Sequence, residues 1–156
     1  MGLAGGSYSS YAYANGNPVL YFDAEGLCWV YSQFTGTLTH VDSSGNVDYV
    51  ANGGYSGYSL GLNSSTMENV QAQQHGDPAG PLPQGAYSIG PSHYSANTGP
   101  ITLNLTPLFS TNRTLLRIHG DNDAKNHTAS QGCMIEPPNV RKRIARSNDK
   151  CLRVVP

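Results

Sequence analysis

Apolar residues in this chain come in short alternating runs, each closed by a cluster of turn formers. Ile101-Thr102-Leu103-Asn104-Leu105 alternates cleanly. Thr37-Leu38-Thr39-His40-Val41 and Val47-Asp48-Tyr49-Val50-Ala51 alternate on either side of Asp42-Ser43-Ser44-Gly45-Asn46. A period of two is that of a strand with one buried face, so this pair predicts a hairpin with a five-residue loop. Trp29-Val30-Tyr31, Ala86-Tyr87-Ser88-Ile89, Leu115-Leu116-Arg117-Ile118 and Cys151-Leu152-Arg153-Val154-Val155 read as further strands. Cys133-Met134-Ile135 is a short apolar run, Gly53 to Gly57 a loop, and Gly80 to Gly85 a rigid turn. With 18 glycines, 10 prolines and 10 tyrosines in 156 residues, many turns and half-buried strands are anticipated.

Helix signals are few. Pro137-Pro138 precedes a helix from Asn139 to about Arg146, with Val140 and Ile144 four apart on its inner face. Ser65-Thr66-Met67-Glu68 has the spacing of a capping box and predicts a short helix to about Gln74, ended by Gly76-Asp77-Pro78. The predicted fold class is mainly β, a β-rich α+β domain with one or two short helices.

No apolar run is long enough for a transmembrane helix, and no heptad repeat predicts a coiled coil. Net charge is −1 and only 12% of residues are charged, which argues against nucleic acid held by bulk electrostatics. The start, Met1-Gly2-Leu3-Ala4-Gly5-Gly6, lacks the basic and apolar regions of a Sec signal peptide. Synthesis in the cytoplasm and export by another route are therefore expected. The three cysteines are odd in number and too far apart for a zinc knuckle. Cys28 and Cys151 read as small core residues able to pair in an oxidising compartment. Cys133 is left as a candidate reactive thiol.

A catalytic thiol needs a base within reach, a group that orients the base, and donors where an oxyanion forms. His119-Gly120-Asp121-Asn122 and Ser130-Gln131-Gly132-Cys133 can supply all three. His119 ends a strand, and Gly132 lets backbone approach a substrate closely. An adjacent imidazole is expected to lower the Cys133 pKa. His127, six residues before Cys133, is a second possible base, but it lies in the polar loop Lys125-Asn126-His127-Thr128 and reads rather as solvated. His40, His75 and His93 show no metal-ligand spacing, and no metal or cofactor is expected. Arg141, Lys142, Arg143 and Arg146, with Lys150 and Arg153 beyond, read as a solvated basic face. Arg141 is the one candidate among them for a substrate carboxylate.

Ser130-Gln131-Gly132-Cys133 resembles the S/T-H-G-C signature of L,D-transpeptidases, and Pro83 to Ile89 resembles their P-x-G-x-[YF]-x-I segment. The match is closer to the type VI secretion L,D-transpeptidase effector family. Gly80-Pro81-Leu82-Pro83-Gln84-Gly85-Ala86-Tyr87, Ile118-His119-Gly120-Asp121-Asn122 and Ala129-Ser130-Gln131-Gly132-Cys133-Met134 all resemble its motifs. Gln131 replaces the histidine of the general signature, and the loop from His119 to Cys133 is shorter. The resemblance implies an L,D-transpeptidase-like catalytic domain with Cys133 as nucleophile and His119 as base. The Gly120 carbonyl would orient His119, and the Gly132 amide would serve the oxyanion. Ser130, Gln131, Asp121, Asn122 and Arg141 are the candidate substrate contacts, with Asp121 and Asn122 also able to shape the loop. The implied substrate is a peptidoglycan stem tetrapeptide.

Residues 2–27 resemble the C-terminal end of an Rhs repeat core, through Gly2-Leu3-Ala4-Gly5-Gly6, Tyr11-Ala12-Tyr13, Asn17-Pro18 and Tyr21-Phe22-Asp23. This implies a junction segment, 1–27, followed by a toxin domain, 28–156. It implies Rhs shell and type VI secretion partners, a cognate immunity protein, and action in the periplasm of a target bacterium without membrane insertion. The alternative is an inactive module that binds the cell wall or a partner.

Overall fold

The computed structural model describes residues 28–57 and 80–156, with the backbone of Ser59–Gly61 and Ser64–Ser65. The 1–27 segment lies outside the described residues. So does the helix expected after Ser65, apart from Ser65 itself, which is in a two-residue strand.

In chain order the elements are β1 (Trp29–Ser32), β2 (Thr37–Val41), β3 (Val47–Ala51), β4 (Tyr55–Ser56), β5 (Ser59–Gly61) and β6 (Ser64–Ser65). Then come β7 (Gly85–Ser95), β8 (Gly99–Pro107), β9 (Arg117–His119), β10 (Met134–Ile135), α1 (Pro138–Arg146) and β11 (Cys151–Val155). Nine strands form one sheet in the order β3-β2-β1-β11-β7-β8-β9-β10-β4. The β1–β11 and β9–β10 pairs are parallel, and the other neighbours are antiparallel. The fold class is mainly β with one short helix among the described residues, as the sequence predicts.

The hairpin β2–β3 turns through Asp42–Asn46. Asp42 Oδ1 accepts the Ser44 and Asn46 amides at 2.8 and 3.0 Å, and Gly45 supplies the left-handed residue at φ +83°. The period of two buries Trp29 and Tyr31 from β1, Tyr87 and Ile89 from β7, Leu103 and Leu105 from β8, and Leu152 and Val154 from β11. Helix α1 packs on β8 with Val140 and Ile144 inward. Each such side chain contributes roughly 1.5–3 kcal/mol through removal from water. The Lys150 ammonium donates to the Ile144 and Ala145 carbonyls, closing the helix C-terminus.

Two strand boundaries depart from expectation. Leu115 does not begin a strand: its backbone is left-handed at φ +57°, and β9 starts at Arg117. Tyr55 and Ser56, flanked by glycines, form a buried edge strand on β10 rather than a loop.

For Cys28 and Cys151 the paired alternative holds. They are bonded to each other, with Cα atoms 4.8 Å apart. The reason lies in the register. Trp29 pairs with Leu152 in the parallel β1–β11 ladder, so the residue before each one meets the other at the same end.

Candidate active site

Parallel pairing of β9 and β10 builds the site. Ile118 pairs with Met134 and His119 with Ile135. Two-residue alternation then puts Cys133, two before Ile135, on the side of the pair that carries His119. Both residues line one cavity of about 430 Å³, together with Arg113, Leu115, Gln131 and Thr98. Cys133 is the free cysteine.

The His119 Nδ1 lies 2.8 Å from the Gly120 carbonyl oxygen. A carbonyl only accepts, so Nδ1 carries the proton and Nε2 keeps the lone pair. Burial pushes the His119 pKa down, and nearby Arg141 and Arg117 add to this, against the Gly120 carbonyl. The imidazole is therefore neutral at pH 7. Burial pushes the Cys133 thiol up, although the Arg117 amide and the Arg117 and Arg113 guanidinia pull the other way. This corrects the lowered thiol pKa expected from sequence. His119 is buried and Cys133 half-buried, and the low dielectric around them disfavours the separated ion pair. The resting thiol donates to the Leu115 carbonyl at 3.6 Å.

The turn before Cys133 is held by Ser130. The Ser130 side chain is fully buried and its hydroxyl donates to the Cys133 carbonyl at 2.7 Å. The same oxygen accepts the amides of Gly57 and Gly132 at 3.1 Å each. Ser56 Oγ donates to the Cys133 carbonyl as well, at 2.9 Å. Ser130 is thus an organiser of the turn rather than a substrate contact. The Gly132 amide is engaged with it rather than directed at an oxyanion in the resting site. Gly132 sits at φ +113°, and a Cβ there would collide with the Arg113 guanidinium. Arg113 in turn donates to the carbonyls of Pro81, Gly80 and Gln131. With Ser56 Oγ accepting the Leu82 amide, this pins the 80–85 turn beside the thiol.

The loop after His119 is shaped by its own polar residues. Asp121 Oδ1 accepts the Tyr55 hydroxyl at 2.7 Å and the Asn122 amide at 2.9 Å. Asn122 accepts the Lys125 amide and donates to Thr128 Oγ1. Asp121 and Asn122 therefore shape the loop, one of the two roles expected of them. His127 is not simply solvated. It stacks on Tyr55 at 4.3 Å between centroids and lines a neighbouring cavity with Glu136, not the one at Cys133. Gln131 is exposed at the Cys133 cavity, where a substrate contact is possible.

Arg141 is the largest departure. It is not part of a solvated face: only 5% is exposed. Its Nε donates to the Glu136 carbonyl, and Nη1 to the Pro100 and Ile101 carbonyls at 2.6 and 3.0 Å. Its Nη2 packs under Gly120, so close that a Cβ there would meet it. Arg141 ties α1, the start of β8 and the His119 loop together. Lys142, Arg143 and Arg146 are exposed, as expected, whereas Lys150 is half-buried and Arg153 is buried, because β11 lies inside the sheet between β1 and β7. Sequence reasoning missed Tyr55, Arg113 and Glu136. Glu136 is 1% exposed, its carboxylate oxygens have no hydrogen-bond partner among the described residues, and burial raises its pKa to about 8.

No protein-family model matches the chain. No curated protein matches it in sequence. Solved structures do. The helical cell shape determining protein Pgp2 of Campylobacter jejuni aligns over 86% of this chain and 52% of its own, at TM-score 0.57 and 13% identity. An L,D-transpeptidase of Xylanimonas cellulosilytica (residues 123–326) aligns over 96% of this chain and 69% of its own, at 0.51 and 13%. Bd1075 of Bdellovibrio bacteriovorus aligns over 84% and 48%, at 0.52 and 10%. The chain spans about half the length of Pgp2 and Bd1075. These alignments, with a mainly β content, give the described domain an L,D-transpeptidase-like fold.

Proposed function

We propose that the chain is a cysteine-dependent peptidoglycan enzyme that acts on stem tetrapeptides. The observation that carries this is Cys133 and His119 in one cavity, with the His119 proton fixed on Nδ1 by the Gly120 carbonyl. His119 Nε2 takes the Cys133 proton as the sulfur attacks the carbonyl of the third stem residue, a diaminopimelate. The Cys133 main-chain amide meets the oxyanion, since Gly132 is held by Ser130. The peptide C–N bond then breaks, His119 returns its proton to the leaving D-alanine amine, and a thioester remains. Water resolves the thioester to an acid, or the amine of another D-amino acid resolves it to a new amide. Either product removes a normal cross-linking substrate.

The Rhs-like residues 2–27 and the effector-like motifs support a further reading. The enzyme is an antibacterial toxin delivered by type VI secretion to the periplasm of a target cell, with a cognate immunity protein guarding its producer. An inactive wall-binding module is the second reading, favoured by the resting thiol's bond to Leu115 rather than to His119.

Mass spectrometry of disaccharide-tetrapeptide incubated with the protein and with Cys133→Ala separates the two. Loss or exchange of terminal D-alanine with the intact thiol alone supports the enzyme. No change with folded, reduced protein supports the binding module.

A further inference from the structure

A second cavity, of about 680 Å³, opens between the β1–β3 end of the sheet and α1. Neither Cys133 nor His119 lines it. One wall carries Trp29, Tyr49 and His40. His40 Nδ1 lies 2.6 Å from Asp48 Oδ1, and Nε2 lies 2.5 Å from Asp149 Oδ2. Both ring nitrogens face carboxylate oxygens, so both carry protons and the ring is cationic. Burial opposes that charge, but the two carboxylates outweigh it and raise the pKa.

The opposite wall is the outer face of α1. Lys142, Arg143 and Arg146 are exposed along one stripe, one helical turn from first to last. Among the described residues none of the three has a carboxylate partner. The Arg143 guanidinium lies 4.3 Å over the Tyr49 ring, which holds it at the rim. With His40 against Asp48 and Asp149, the lining keeps two net positive charges.

Trp29 lines the cavity and is 1% exposed, so its indole is part of the cavity's apolar wall; among the described residues its buried Nε1–H has no acceptor.

We propose that this cavity is a second, non-catalytic site that holds a carboxylate of a peptidoglycan stem peptide. It tethers the wall polymer while Cys133 acts on another stem. This rests on the peptidoglycan reading above. The complementarity is direct: stem peptides carry free carboxylates repeated along a polymer. The cavity offers three cations that have no carboxylate partner among the described residues, Arg143 being held over the Tyr49 ring.

Trp29 is the chain's sole tryptophan, so its emission reports on this cavity. The full chain with Cys133→Ala is titrated with soluble disaccharide-tetrapeptide. A saturable change in emission is expected. Its Kd should rise at least tenfold in Lys142→Glu/Arg146→Glu, and by a smaller factor in Lys142→Gln/Arg146→Gln. Retention on isolated sacculi should fall in the same order. Turnover of soluble tetrapeptide, with Cys133 restored, should be unchanged by either pair. Emission indifferent to the tetrapeptide, or unaltered by charge reversal, overturns the proposal. So does a response to poly-glutamate alone, which would assign the cavity to an acidic protein. If the titration succeeds but wild type turns over no muropeptide, the tether stands and the enzyme reading falls.

Discussion

The Ser130 hydroxyl and the Cys133 carbonyl are 2.7 Å apart, and this bond closes the turn that presents the thiol. Because the same oxygen accepts two buried amides, Ser130→Ala leaves the Gly57 and Gly132 N–H groups without an acceptor. Unsatisfied buried donors cost about 1–3 kcal/mol each. Ser130→Ala should therefore destabilise by about 2–6 kcal/mol, read from urea unfolding. Stability within about 0.5 kcal/mol of wild type would contradict this account of the turn.

Cys133 reactivity should report a neutral thiol–imidazole pair. Burial raises the thiol pKa and lowers that of His119, so thiolate accumulates only on the alkaline side of the ordinary thiol value. The iodoacetamide alkylation rate should keep climbing from pH 7 through 9. A rate already level at pH 6 would reveal a preformed ion pair instead.

Glu136 should make stability fall with rising pH. Its folded-state pKa is pushed up to about 8 from an ordinary 4.5. Both states hold the proton below pH 4.5, but between there and about pH 8 only the folded state does. The stability present in acid is thus lost through that window, by up to about 1.4 kcal/mol per pH unit. Glu136→Gln holds a neutral group throughout. Its gain in Tm over wild type should be larger at pH 8.5 than at pH 5. Parallel curves for the two proteins would place the carboxyl in a more polar setting than the one described.

Thiol counting tests the covalent closure. Unfolded without reductant, the chain should show one reactive thiol, Cys133, and with reductant three. Cys28→Ser should cost about 2–5 kcal/mol, read as a lower denaturation midpoint under oxidising conditions. Three thiols without reductant would exclude the bond.

The elements legible in the sequence are those in which one local signal acts alone. The β2–β3 hairpin follows from alternation and an Asp-initiated loop, and α1 follows from Pro137-Pro138 with Val140 and Ile144. β7 is longer than its sequence suggests. The alternating run ends at Ile89, but a register shift between Ile89 and Ser92 lets the strand continue to Ser95. Arg141 was assigned by its charge, although it lies three residues before Ile144 and so shares the inner face. Cys133, His119 and the Gly120 carbonyl were legible because the chemistry needs a thiol, a base and a group that orients the base, and residues 119–133 hold all three. The parts of Tyr55 and Arg113 were not, because their partners lie in segments distant in sequence: Asp121 and His127 for Tyr55, and the Gly80, Pro81 and Gln131 carbonyls for Arg113. Such pairings leave no mark on residue spacing.

The Cys28–Cys151 bond gives the described domain a closed covalent outline. It joins the residue before the first strand to the first residue of the last one, 123 positions apart. A single backbone cut at any point from 29 to 150 opens that ring but releases nothing. A protease that nicks a surface loop would leave two pieces still fastened where β1 and β11 meet. The domain would come apart only after a second event, reduction of the bond, and that ordering makes its persistence depend on the surrounding thiol chemistry as much as on its packing.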